Sequence, residues 1–164
     1  MIRPETPADA DAIARAVELA FGRPAEAELV VAIRASDGFV PELSLVAEEG
    51  GEIVGHVMLS YVPLGDRKVL QLAPMAVVPQ RQSQGIGGAL VRAVLERADG
   101  LGAPLVLVVG HADYYPRFGF EPARALGIEP PAPFADEVWM ARRLTAYDPT
   151  LRGTARFPPA FDGA

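Results

Sequence analysis

The stretch Pro74-Met75-Ala76-Val77-Val78-Pro79, followed by Gln82-Ser83-Gln84-Gly85-Ile86-Gly87-Gly88, joins an apolar extended run to the start of a helix. Val69 to Val78 reads as a strand, and Pro74 lies inside it with no N–H to give to a ladder. The strand must therefore bulge at Pro74 or lie at a sheet edge, and either break frees nearby backbone groups. Downstream, Ile86, Leu90, Val91, Val94, Leu95 and Ala98 form one apolar helical face that Gly100 stops. Leu105 to Val109 is then a short, continuously apolar run, as expected of a strand buried on both faces. Strand, helix and strand make one unit with a right-handed connection. The fold class is α/β, with three glycines at its strand-to-helix junction.

Toward the N-terminus, Ile2-Arg3-Pro4 is a short extended start, and Thr6-Pro7-Ala8-Asp9 supplies an N-cap, a first-turn proline and a capping-box carboxylate. The helix that follows uses Ile13, Val17, Ala20 and Phe21 as its core face and ends at Gly22 and Pro24. A second helix spans Ala25 to Ala35, with Leu29 and Ile33 inward. Ser44 to Ala47, the turn Glu48-Glu49-Gly50-Gly51, and Ile53 to Leu59 read as a β-hairpin, and a loop surrounds Tyr61 to Lys68. Toward the C-terminus, Asp113 to Phe118 suits a short helix, while Phe120 to Leu126 and Glu137 to Leu144 suit a closing antiparallel pair. One domain over residues 1–144 is expected, with a Pro- and Gly-rich tail over 145–164 that wraps the surface or frays.

With 164 residues, half of them hydrophobic, the chain can bury one sizeable core. A net charge of -6 argues against a general nucleic-acid or membrane-surface binder, since both partners are anionic. Any anionic ligand must be held locally. The chain has no Cys and only two histidines, His56 and His111, so a disulfide framework, a Cys nucleophile and a metal centre are not expected. Charges at Arg3, Glu5, Asp9 and Asp11 interrupt what a signal peptide would need, and no uncharged run is long enough to span a bilayer. A cytoplasmic setting is the simplest reading.

A helix that opens on glycines directly after a strand presents unpaired N–H groups and the positive end of its dipole, an anion site that needs no Lys or Arg. On the glycines alone, a tight turn with close helix-to-sheet packing accounts for them equally well. Register disposes of two competing nucleotide motifs. A dinucleotide fingerprint from Gly85 needs a third glycine where Leu90 stands, and no Gly-Lys-Ser/Thr for a Walker A loop occurs.

The run from Pro74 through Gln82-x-x-Gly85-x-Gly87 resembles the core motif of the GCN5-related N-acetyltransferases, the GNAT family. Tyr114-Tyr115-Pro116-Arg117-Phe118-Gly119-Phe120 resembles that family's aromatic-glycine-aromatic turn after the fifth strand, and Glu137-Val138-Trp139-Met140-Ala141 resembles its closing strand. Element order is similar from Ile2 to about Leu144, with the YhbS-type bacterial subgroup most alike. The resemblance implies a single-domain fold whose mixed, mostly antiparallel sheet has flanking helices and splays between its fourth and fifth strands. Acetyl-CoA would enter as acyl donor. Its pyrophosphate would lie on Gln82, Ser83, Gln84, Gly85, Ile86, Gly87 and Gly88, and its pantetheine arm on the backbone of Met75, Ala76 and Val77.

Acyl transfer from a thioester to an amine needs an unprotonated amine, a stabilised oxyanion and a proton for the thiolate. The resemblance points to the Met75–Val77 backbone for the oxyanion and to Tyr115, four residues before Gly119, for the proton. A phenol stays protonated at neutral pH. Tyr114 reads as core packing with Phe118 and Phe120. The base is open. Val69 to Val78 contains no acidic residue and has Gln71 instead, leaving His111, a water relay or no base at all. His56 alternates with Val57 on a hairpin and reads as a sheet-face or pocket residue. Arg81, Arg92 and Arg117 could reach the phosphates, with Arg81 the favoured one, since Arg92 and Arg97 on a helix with Glu96 read as a solvent face. The function implied is N-acetyl transfer to a primary amine of a small molecule or peptide, with a non-catalytic acyl-CoA sensor as the alternative. The sequence leaves a homodimer open and names no acceptor.

Overall fold

The computed structural model describes residues 1–162, so 163–164 of the expected tail lie outside the described residues. Nine strands and three α-helices follow in order: β1 Ile2–Pro4, α1 Ala10–Phe21, α2 Ala25–Arg34, β2 Phe39–Glu49, β3 Glu52–Leu64, β4 Arg67–Val77, α3 Ile86–Gly100, β5 Leu105–Val109, β6 Glu121–Pro122, β7 Ile128–Glu129, β8 Trp139–Arg143 and β9 Gly153–Thr154. Seven strands make one mixed sheet, β1-β2-β3-β4-β5-β8-β6, in which β4 and β5 alone run parallel. A right-handed strand-helix-strand crossover requires that parallel pair, and α3 is its helix.

The sheet is covered on both faces. Leu90, Val91 and Val94 of α3 pack onto Leu45, Val57, Leu70, Leu72, Val106 and Val108. On the other face Ile13 and Val17 of α1 and Leu29, Val30 and Ile33 of α2 meet Val46, Met58 and Ala76. Burying such side chains contributes about 1.5–3 kcal/mol each. In front of α1, the first turn is a 3-10 turn over Pro7–Asp9, with Asp9 accepting the Thr6 N–H at 2.7 Å.

Several expectations change. Phe21, expected on the core face, is 42 % exposed, while Ala16 takes the inward place beside Ile13 and Val17. The helix ends immediately after Phe21, where Gly22 turns left-handed at φ 72°, so the ring clears the packed face. The loop expected around Tyr61 to Lys68 is instead a continuous hairpin: β3 runs to Leu64, β4 starts at Arg67, and only Gly65-Asp66 turn. Val62, Leu64 and Val69 are buried against Leu105, Leu107 and Trp139, which keeps both strands paired to their ends. The strand expected from Phe120 to Leu126 stops at Pro122, and Ala123–Leu126 coil into a 3-10 turn closed by Gly127 at φ 77°. Proline cannot extend the ladder there.

The tail is packed: Leu151 and Ala155 are fully buried beside Trp139, and β9 pairs with β7. Phe157 and Phe161 stack on each other at 5.1 Å.

Pro74 lies in a central strand. Val57 pairs with Met75 and Leu59 with Leu72, so Ala73 and Pro74 together oppose one residue of β3. That is a β-bulge, the first of the two options, and the edge position is excluded. Pairing with β5 covers only Leu70, Gln71 and Leu72, opposite Val106, Leu107 and Val108. Beyond the bulge β4 keeps β3 and loses β5, which is the splay.

Candidate active site

A cleft of about 690 Å³ opens at the splay. Its walls are the post-bulge residues Met75, Ala76 and Val77, the glycine loop, the end of α1 at Ala20 and Phe21, and the turn carrying His111, Tyr114, Arg117 and Phe118. Val78 donates its N–H to Val54 at 2.9 Å, which fixes the alternation along β4. Peptide groups of Ala76 and Val78 therefore face β3, and those of Met75 and Val77 face the open side. The Val77 carbonyl there accepts from Gln82 Nε2 at 2.9 Å, tying the loop to the strand. Of the three residues expected to offer backbone, two do, and Ala76 contributes wall.

The loop Pro79 to Gln84 starts as a 3-10 turn and passes through Ser83 at φ 63° before Gly85 caps α3 at φ 87°. Only glycine takes the second position without strain. The first backbone bond of α3 runs from Ala89 to Gly85 at 3.0 Å, so the N–H groups of Ile86, Gly87 and Gly88 have no backbone acceptor among the described residues. These are the orphan donors of a helix start, carrying the positive end of its dipole. Ser83 lines the cleft, whereas Gln84 hydrogen-bonds back to the Gln80 carbonyl at 3.3 Å and is exposed outside it.

The two tyrosines exchange the places expected of them. Tyr115 is 6 % exposed, does not line the cleft, and packs edge-on to Phe120 with ring centroids 5.5 Å apart. It lies on bare backbone: a Cβ added to Gly110 would stand 2.3 Å from the Tyr115 ring. Tyr114 lines the cleft, and its hydroxyl is 3.0 Å from where a Cβ on Gly87 would be, with Met75 on the other side at 3.4 Å. The phenol thus occupies the corner between glycine loop and open strand. Burial raises the pKa of both hydroxyls, and at Tyr114 the charges of Arg117 and Arg92 oppose the rise. Both are protonated at neutral pH.

Arg92 and Arg117 carry their guanidinium groups over aromatic faces, at 4.9 Å from Phe118 and 4.8 Å from Tyr114. Arg81 also lines the cleft but pairs with Glu49 at 3.1 Å. No Asp or Glu lines the cleft among the described residues, which leaves His111 at its exposed rim. Sequence reasoning missed Phe21 and Tyr114 as cleft residues.

A half-open central strand, a glycine-led helix end beside it and a protonated phenol between them define an acyl-CoA-dependent acyltransferase. Residues 11–120 match the model of the Acetyltransferase (GNAT) family, and the chain belongs to that family. It is 39 % identical over 156 residues to the uncharacterized N-acetyltransferase YjhQ of Escherichia coli K12, covering 90 % of this chain and 86 % of that one. Identity to the uncharacterized N-acetyltransferase YhbS of the same strain is 33 % over 156 residues, 93 % of this chain and 91 % of that one. The crystal structure of Escherichia coli YhbS in complex with CoA superposes with a TM-score of 0.91 at 28 % identity, covering 99 % of this chain and 91 % of that one. A GNAT family acetyltransferase from Brucella melitensis in complex with acetyl-CoA gives 0.82 at 33 % identity, over 99 % and 97 % of the two chains. The reaction class is acetyl-CoA-dependent acyl transfer. Among the described residues no helix is long and apolar enough to cross a membrane, and no cluster of three or more His, Asp or Glu could hold a metal ion.

Proposed function

We propose that the chain acetylates a primary amine of a small molecule or peptide by direct transfer from acetyl-CoA, with Tyr114 rather than Tyr115 protonating the departing thiolate. The carrying observation is the convergence, on one cleft, of the free N–H groups of Gly87 and Gly88, the open Met75 peptide and Val77 N–H, and the Tyr114 hydroxyl. The pyrophosphate binds the helix start without a lysine, and the pantetheine arm extends the sheet along β4 in place of β5. Backbone N–H at Met75 or Val77 meets the oxyanion as the amine adds to the thioester carbon. As the C–S bond breaks, the phenol gives its proton to sulfur.

The CoA and acetyl-CoA complexes of the two similar structures support the donor, and the absence of a cleft carboxylate favours an amine that arrives neutral. Mixing the protein with acetyl-CoA and panels of primary amines while following free thiol tests the reaction. Turnover with one amine class is expected, and CoA binding without turnover on any panel would overturn it. Tyr114→Phe is expected to lower kcat by about a hundredfold with CoA affinity kept, and Tyr115→Phe to change it less than about threefold. The reverse order would return the proton to Tyr115.

A further inference from the structure

Three aromatic rings line the cleft, and two of them have partners. Tyr114 and Phe118 pack edge-on with centroids 5.2 Å apart, and each carries an arginine on its face. Phe21 has neither: among the described residues it joins no core cluster and no aromatic pair, and it is exposed into the cleft. Its position follows from how α1 ends. Ile13, Ala16 and Val17 are the buried stripe, and the next inward place goes to the small Ala20, which packs in the layer that holds Ala76. Gly22 turns left-handed immediately afterwards, so the ring of Phe21 stays at the mouth of the cleft beside Ala20. A large apolar side chain left uncovered in a concave site is fitted to a ligand.

Charge narrows what that ligand can be. The cleft arginines come from the loop before α3, from α3 itself and from the turn that carries Tyr114, where the donor's phosphates draw on them. Around Phe21 the lining side chains are Ala20, Met75, Ala76 and Val77, which carry no charge. The carboxylates nearest in sequence do not serve the cleft either. Glu18 is exposed and lies outside the lining, and Glu26 is held by Arg23, whose Nε donates to Oε1 at 2.9 Å. An acceptor with a second ammonium group therefore meets no counter-charge there, and desolvating that group unpaired is costly. An apolar body gains instead, by covering the ring.

The geometry points to an acceptor that is a small monoamine with an apolar, ring-sized body lying against Phe21, the class that phenethylamine represents, and away from polyamines and aminosugars. This rests on the acetyl-transfer reading above and narrows it. Phe21 has no polar atom to offer the reacting groups, so it selects the acceptor and takes no part in the chemistry.

The test compares phenethylamine, ethylamine and spermidine as acceptors at saturating acetyl-CoA. The first two share an aminoethyl group, so their difference reads the body alone. In wild type kcat/KM for phenethylamine should exceed that for ethylamine by about tenfold, with spermidine no better than ethylamine. Phe21→Ala keeps the helix, since alanine is the better helix former. It should raise KM for phenethylamine by about tenfold and leave kcat, the ethylamine rate and CoA affinity within about twofold. Phe21→Tyr, which keeps a ring, should retain the wild-type preference. A preference for spermidine overturns the inference, and so does a Phe21→Ala that weakens CoA as much as phenethylamine, because the ring would then serve the donor. Should none of the three amines turn over, the transfer reading is what fails. Calorimetry of phenethylamine with the CoA-loaded protein needs no turnover: binding that Phe21→Ala abolishes is expected, and no binding to wild type would overturn the inference by itself.

Discussion

Along the open edge of β4 and the start of α3 the unpaired polar groups are backbone: the Met75 peptide, the Val77 N–H and three N–H groups of α3. On the α1/α2 side they are side chains, Glu5, Ser44 and His56, closed off inside an apolar layer. The first set is held open by what is missing, a β5 partner past Leu72 and any side chain on three glycines. The second is held in place by what surrounds it. An acidic chain can therefore still offer an anion dipoles at the open edge of β4, while the Glu5 carboxylate is kept beneath α1 and α2.

Filling the open side should have the largest effect. In Gly87→Val the new Cβ starts 3.0 Å from the Tyr114 hydroxyl and 3.4 Å from Met75, and its branches project where the donor must approach the backbone. CoA affinity, read by calorimetry, is expected to fall by roughly a hundredfold, about 2.7 kcal/mol. The fold should persist, since valine is a better helix former than glycine. Normal binding would take the anion site away from the first turn of α3.

The same contrast explains what was legible in the sequence. Backbone features announce themselves through the residues that shape backbone, so Pro74 led to the bulge, and Gln82 with Gly85 and Gly87 led to a helix start with unpaired N–H groups. The buried polar cluster has no such marker. Ser44 and His56 are ordinary residues of a hairpin, and only counting outward from the Gly50-Gly51 turn, with Ser44 opposite Met58 and Val46 opposite His56, brings them together. Glu5 and Arg34 then arrive from two other elements, which no local pattern encodes. The placement of the two tyrosines is hidden in a similar way. Spacing from Gly119 selects Tyr115, but the Gly110 backbone accepts that ring and leaves Tyr114 to turn into the cleft.

An intermediate effect should come from the closed side. Glu5→Gln removes the charge that Arg34 and the hydroxyl of Ser44 bond, and is expected to cost about 2 kcal/mol of stability by denaturant unfolding. Its pH signature is specific. His56 has its folded pKa depressed below the ordinary 6.5, so the unfolded chain binds the extra proton and stability falls as pH drops below that value. Glu5 is depressed from 4.5 to about 2, so a second loss follows across that window. In Glu5→Gln this network's second step should vanish while the first remains. A wild-type profile flat between pH 7 and about 5 would deny a neutral buried His56.

The smallest effects belong to the arginines at the cleft, where the two ways of handling charge meet. Arg92 and Arg117 rest on Phe118 and Tyr114 rather than on carboxylates, an interaction contributing about 0.5–1 kcal/mol that leaves most of the charge available, with Arg117 also donating to the Tyr114 and Asp113 carbonyls. Arg81 is already matched by Glu49, with both side chains nearly half exposed. Release from an exposed pair costs little but returns little. Arg92→Gln and Arg117→Gln are each expected to weaken CoA binding by about three- to fivefold, and Arg81→Gln by less than about twofold. Raising salt should shrink the first two effects, because Arg92 and Arg117 are exposed and their charges are screened. A dominant Arg81 would mean that the Glu49 pair opens when the donor binds, and that part of the anion site is assembled by side chains instead of being preformed by backbone.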